Sequence, residues 1–272
     1  MPRDLEDVLD YLLPAPSNGG SGTSGAESTH PSRTLRPDRP RRPAALPILA
    51  LPIGSGDVIR TAFAWNLAVE IARLGGSADL VAPRADSEAL WPPPGRGPIG
   101  AELSITDADG LGALSRAAFD VAVSRAAEAN DGGVVLVCVP PDWLNDANDG
   151  RALLRWVLLF SSPETADLKQ AYGLAKHVRQ LGTEARVGLT IHGARRVGEA
   201  ERAFERVAVT AQRHLSLSVV SYGLLVDDLH VYRAIAARRP IGLERPQSRA
   251  SRALGDVAGL ILEDARKRIG DR

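Results

Sequence analysis

Cysteine is almost absent from this 272-residue sequence, with Cys138 the only one. One thiol cannot build an internal disulfide framework, and such usage fits a reducing cytosol. No apolar run approaches the roughly 18 residues of a membrane-crossing helix. The acidic start, Met-Pro-Arg-Asp-Leu-Glu-Asp, lacks the charged-then-apolar order of a secretory signal. Charge of one sign is missing too. Lys and Arg total 33 and Asp and Glu total 33, so net charge points to neither nucleic acid nor a membrane surface as partner. Aromatics are only 4% of the chain, so the core has to rest on Leu, Val, Ile and Ala. At 44% hydrophobic there is enough of these for a sizeable core in one or two domains. A cytoplasmic protein is expected.

The chain divides into three stretches. In residues 1–14, Leu5, Val8, Leu9 and Leu12 fall at i, i+3, i+4 and i+7, one face of an amphipathic helix that Pro14 and Pro16 stop. A helix this short is marginal alone. Its four apolar residues therefore read as a partner-binding face, folding on a protein partner or on the chain's own domain. Residues 15–44 are Ser, Gly and Pro, then a basic run ending Arg41-Arg42-Pro43. They bury too little apolar surface to order themselves and read as a disordered linker, reaching roughly 30 Å by random-coil scaling.

Residues 45–272 read as one domain. Apolar strands are expected at 48–51, 78–82, 133–139, 156–161, 187–191 and 217–222. Helices are expected at 61–74, 111–130, 163–181, 198–214, 231–239 and 248–269. Residues 83–110, with Trp91-Pro92-Pro93-Pro94-Gly95, are expected to form a long surface loop. Fully apolar strands alternating with helices imply an α/β fold, a mostly parallel sheet with helices on both faces.

One stretch carries a possible site. The strand at Ile48–Leu51 runs into Pro52-Ile53-Gly54-Ser55-Gly56-Asp57, and a helix follows with Phe63, Leu67, Ile71 and Leu74 on one face. Strand, glycine loop, helix is the context of a phosphate-binding loop. Such a loop needs glycines so that backbone N–H groups wrap the phosphates, a Lys for the outer phosphates and a Ser or Thr for Mg²⁺. Here Gly54, Gly56 and Thr61 remain, and Arg60 is the only cation. The other chemistry-bearing residues are sparse. Cys138 lies in an apolar strand and reads as an inert buried thiol. His177, His192, His214 and His230 have no ligand spacing with one another.

Further pieces carry a resemblance. Phe160-Ser161-Ser162-Pro163-Glu164-Thr165 followed by Ala171-Tyr172-Gly173-Leu174-Ala175-Lys176, then Gly198-Glu199-Ala200 through Val207, then Tyr222 to Asp228, occur in the order and spacing of one group. They resemble the MinD/ParA superfamily of P-loop ATPases, within it most the FlhG (FleN)/MinD branch, over roughly residues 46–265. The resemblance implies that the family loop, K-G-G-x-G-K-T, falls on Ser55-Gly56-Asp57-Val58-Ile59-Arg60-Thr61. The signature Lys, which reaches a partner's ATP across a dimer, is then Ser55. Two glycines are Asp57 and Ile59, and the second Lys is Arg60. The Mg²⁺-linked acids fall on Ala82, Arg84 and Cys138, and the adenine-reading Asn on His192. The segment Tyr222–Asp228 falls on a turn of the family pattern.

Each departure has a physical consequence. A carboxylate at Asp57, about 4 Å from a phosphate charge, costs about 4 kcal/mol at an effective dielectric near 20, about a thousandfold in affinity. A glycine's positive φ at Ile59 would strain a β-branched residue. Arg60 is a poor substitute for a compact ammonium. Together these imply a catalytically degenerate MinD/FlhG-like regulatory or scaffolding protein, not an enzyme and without a cofactor. It would act through protein partners in bacterial spatial organisation, by its tail or helix surfaces, with any homodimer independent of nucleotide. The alternative is an atypical ATPase that binds ATP and Mg²⁺ through Gly54, Gly56, Arg60 and Thr61.

Overall fold

The computed structural model describes residues 44–84, 91–129, 132–145, 149–182 and 184–270. The tail residues Leu5, Val8, Leu9 and Leu12, and nearly all of the linker, lie outside the described residues. In chain order the elements are β1 (Ile48–Pro52), α1 (Val58–Arg73), β2 (Ser77–Pro83), β3 (Gly95–Arg96), β4 (Glu102–Thr106), α2 (Leu111–Ala126), β5 (Gly133–Val139) and β6 (Trp156–Ser161). Then come α3 (Thr165–Gln180), β7 (Arg186–Ala194), α4 (Val197–Leu215), β8 (Val219–Val226), α5 (Leu229–Ala237), α6 (Ile241–Glu244) and α7 (Arg249–Gly270).

The strands form one sheet in the order β3-β4-β2-β5-β1-β6-β7-β8. Among the described strands, only β3 runs antiparallel to its neighbour. The middle strands are apolar throughout: every residue of β5 and of β6 is buried. That is the pattern of strands covered on both faces. One core lies under α1 and α7, with Phe63, Leu67 and Ile71 meeting Leu80, Leu136, Leu158 and Ile261. The other lies under α2, α3 and α4, with Leu114, Leu168, Leu174 and Val207 meeting Val135, Val137, Leu159 and Leu189. The α/β class expected from the alternation is what is observed.

Helix α1 is buried nearly all round, Arg60, Thr61 and Glu70 included. The face expected from its spacing holds for Phe63, Leu67 and Ile71, but Leu74 is exposed because the helix ends there. Asn66 ties this helix to the far end of the chain, accepting from the Ile241 N–H at 2.8 Å and donating to the Ala62 carbonyl. A second buried link joins β6, β8 and α7. The Trp156 indole donates to the Tyr222 hydroxyl at 3.0 Å, which donates to Asp264 at 2.6 Å.

Two expectations are corrected. Residues 83–110 are not one long loop: β4 pairs in parallel with β2 over five residues, from Asp79↔Glu102 to Pro83↔Thr106. Its Leu103 is buried, and Trp91 of the proline-rich stretch packs into the core beside α1. The stretch Tyr222–Val226, expected as a turn, is the second half of β8. Its pairing with β7 continues to Ala194↔Val226 through two register shifts. Gly223, at φ +88°, accommodates the irregularity in a backbone conformation that residues with side chains rarely adopt.

Candidate functional site

In a parallel sheet every strand ends at the same edge, and clefts form outside those ends where the strand order reverses. Strand β1 lies at such a point, between β5 and β6. The Gly54–Asp57 loop opens there, between β1 and α1. It is a tight turn: the Asp57 N–H donates to the Gly54 carbonyl at 3.1 Å, and Gly56 sits at φ +81°, where glycine is the default residue.

Asp57 caps the helix. Its carboxylate accepts from the Arg60 N–H at 3.0 Å, while its carbonyl accepts from the Thr61 N–H at 3.0 Å. A helix N-terminus is a natural anion site because its first N–H groups have no intrahelical partner. Here the anion is the protein's own carboxylate. The helix begins at Val58, so Ile59 and Arg60 are already in its first turn. The strain expected at Ile59 is absent: among the described non-glycine residues, positive φ occurs only at Ile99, Ser216 and Arg238.

Arg60 is 6% exposed. Its guanidinium donates to the Gln170 side-chain oxygen at 2.9 Å and lies 3.3 Å from both the Asp57 and the Asp167 carboxylates. Asp167 and Gln170 stand one turn apart at the start of α3. Neither was expected at the site. Burial works to raise the Asp167 carboxyl, but hydrogen bonding from Ser162 and the Arg60 charge hold it below the usual carboxylate value. The cation carries two carboxylates and an amide, a closed set of partners.

His192 of β7 stands behind this cluster. Its ring is 5.6 Å from that of Phe63, which is stacked 6.3 Å from Phe160. Burial, then the Arg60 charge, push its pKa down to about 4 against the opposing pull of Asp167 and Asp57. The imidazole is therefore neutral at pH 7, and its buried Nε2 has no hydrogen-bond partner among the described residues.

The positions expected for metal acids supply none. Ala82 is buried in β2, and Arg84 just beyond that strand pairs with Asp107. Burial pushes the Cys138 thiol up to about 12, so it is protonated and inert. Among the described residues, no group of three or more His, Cys, Asp or Glu side chains is placed to hold a metal ion. Thr61 is buried but lines a cavity of about 270 Å³ with Trp65, Trp91, Ile235 and Arg239. That is slightly below the roughly 300–1,000 Å³ of pockets for drug-sized ligands. Of the expected set, Gly54, Gly56, Arg60 and Thr61 are thus at one place, but Arg60 faces side-chain carboxylates.

The sheet order, the loop after β1 and the helix behind it define an α/β architecture of the P-loop NTPase type. Solved structures make it more particular. The chain is similar to one in the MinC:MinD cell division protein complex of Aquifex aeolicus, with TM-score 0.59 and 14% identity over 80% of this chain and 96% of that one. It is similar to a ParA family ATPase from Chlorobium tepidum TLS, with TM-score 0.53 and 11% identity over 79% and 98%. A plasmid partition protein from Borrelia burgdorferi B31 bound to AMPPNP gives TM-score 0.52 and 11% identity over 80% and 99%. The fold is of the MinD/ParA type. No protein-family profile and no curated protein matches the chain.

Proposed function

We propose that this chain is a catalytically degenerate relative of FlhG/MinD proteins that regulates or scaffolds through protein contacts. The observation that carries this reading is the closed set around Arg60. The residue at the position of the phosphate-binding Lys is neutralised by Asp57 and Asp167 and hydrogen-bonded to Gln170. A phosphate would have to displace a carboxylate from a helix N-terminus and then sit beside it. At about 4 Å that repulsion alone is about 4 kcal/mol at an effective dielectric near 20. Cys138 and Ala82 offer a magnesium ion no charge. Mg-ATP does not fit this set of side chains, and no hydrolytic step is assigned.

Exposed apolar side chains near the same sheet edge give such a protein a contact surface. Val58, Val197, Leu229 and Tyr232 stand at or near the starts of α1, α4 and α5 and are all exposed. The N-terminal Leu5, Val8, Leu9 and Leu12 are a second one by sequence. Among the described residues, no helix is long and apolar enough to cross a membrane.

Retained nucleotide binding is the rival reading, and the cavity beside Thr61 favours it. Thermal denaturation with and without about 1 mM Mg-ATP separates the two, because a ligand raises the melting point according to its concentration over its Kd. The expected result is no shift, no hydrolysis above the buffer blank, and an unchanged mass by light scattering. A shift that disappears in Thr61→Ala establishes the rival.

A further inference from the structure

Among the described residues, β3 is one edge of the sheet and strand β8 the other. Its outer row of N–H and C=O groups lies outside the ladder, the arrangement that proteins cover with a helix, a loop or charge. Along this edge runs a groove of about 670 Å³, floored by Ser221–Val226 and walled by α4 and α7. Phe204 and Val197 line one wall and Val257 and Leu260 the other, with Leu74 at the end of α1. Leu74 and Val197 are two of the exposed large hydrophobics. The rim carries Arg73, Arg249 and Arg252 as well as Glu201 and Asp256. The loop chemistry discussed above uses none of this surface.

We infer that the groove is the docking site of the chain's own N-terminal segment, with Leu5, Val8, Leu9 and Leu12 inserted between α4 and α7. Dimensions support this occupant. From Leu5 to Leu12 a helix advances about 11 Å at 1.5 Å per residue, and the floor from Ser221 to Val226 is about 16 Å long at 3.3 Å per residue. On a helix, Asp4 and Glu6 fall roughly 90° to either side of such an apolar face, and the rim offers their carboxylates Arg249 and Arg252, Arg73 being held by Glu70 at 2.7 Å.

The tether reaches. Strand β1 begins at Ile48, and β8 lies three strands from it, about 14 Å sideways. The register puts Ser221 level with Pro52, about 13 Å further along the sheet than Ile48, so the near end of the groove is about 20 Å away. A random coil of the length of 15–44 spans roughly 30 Å. Tethering sets an effective concentration of order 1 mM, so a contact with an intrinsic Kd near 0.1 mM is about 90% occupied. A second copy of the chain would need far tighter binding at micromolar protein. The docked tail covers the sheet edge and is itself covered, so a protein that binds the tail must first displace it. This inference is independent of the nucleotide chemistry and survives or fails without it.

Photo-crosslinking of the full-length chain tests it. Leu9→p-benzoylphenylalanine keeps the position apolar, and adducts are mapped by mass spectrometry after irradiation. The expected result is adducts in monomeric chain at 197–204, 221–226 or 253–260, suppressed in a Phe204→Asp background. Leu9→Asp in the otherwise native chain should also speed amide exchange of 219–226 about tenfold. Adducts between two chains, adducts elsewhere such as around the exposed Phe119 of α2, no adducts at all, or unchanged exchange in Leu9→Asp each overturn it.

Discussion

Asp57→Ala removes three things together: the cap on the Arg60 N–H, one of the two carboxylates on the Arg60 guanidinium, and a negative charge from the loop. The cap alone is worth about 1 kcal/mol. Removing one partner of a fully buried pair costs about 3–5 kcal/mol. Here Arg60 keeps Asp167 and Gln170, and the Asp57 side chain is 27% exposed, so the ion-pair loss is nearer 1 kcal/mol by the weaker values of exposed pairs. The sum of about 2 kcal/mol lowers the melting temperature by about 4–8 °C for a domain of this size. Asp57→Asn keeps a capping oxygen and loses only charge, so about half that shift is expected. Calorimetry and urea titration measure both variants, with an unchanged m-value showing that compactness is unaffected. An Asp57→Ala protein as stable as wild type refutes the claim that this carboxylate holds the loop closed. The same variants take a second arm with about 1 mM Mg-ATP. No thermal shift is expected in Asp57→Asn, because a compact lysine and the metal acids are still missing. A shift of several degrees there means that one charge alone keeps the nucleotide out, and the argument from several losses fails.

Two further predictions concern buried titratable groups. His192 is held neutral down to about pH 4, against an ordinary value of 6.5. The unfolded chain therefore binds a proton in that window that the folded chain does not. Its contribution is complete above pH 6.5 and is lost as pH falls towards 4, about 3 kcal/mol in all. His192→Gln should flatten the stability slope between pH 6.5 and 4.5, and identical slopes in variant and wild type refute the assignment. Cys138, with burial pushing its thiol up to about 12, should not react with Ellman's reagent at pH 8 until urea unfolds the chain; one equivalent released within minutes in native buffer contradicts its burial.

The fold was legible because its inner strands are apolar at every position and its helices keep their apolar spacing. β4 was missed because Glu102-Leu103-Ser104-Ile105-Thr106 alternates beside a proline-rich stretch, and only pairing with β2 makes it a strand. The strand expected at 217–222 runs on to Val226 because pairing with β7 continues through two register shifts, where the resemblance implies a turn at Tyr222–Asp228. At the site, a loop with Asp57 and Arg60 and without lysine could be read directly. The partners of Arg60 could not, since Gln170 is 110 residues away and nothing in Asp167 or Gln170 marks them as different from other surface residues of an amphipathic helix. Ile59 shows the converse: its strain follows from assuming a phosphate loop, and it vanishes once Asp57 starts the helix early.

The bond from Asn66 to Ile241 spans 175 residues of chain. It also sets an order of events during synthesis. Helix α1 leaves the ribosome early, yet it packs against α6 and α7, which emerge last. At about 5–20 residues per second, the interval between Asn66 and Ile241 is about 10–35 s. Throughout it, the α7-facing side of α1 has no partner on the nascent chain. A stop codon or a long pause before α7 therefore strands an apolar helix without its cover. Chaperone demand for this protein should peak late in translation, when most of the sheet has already been made.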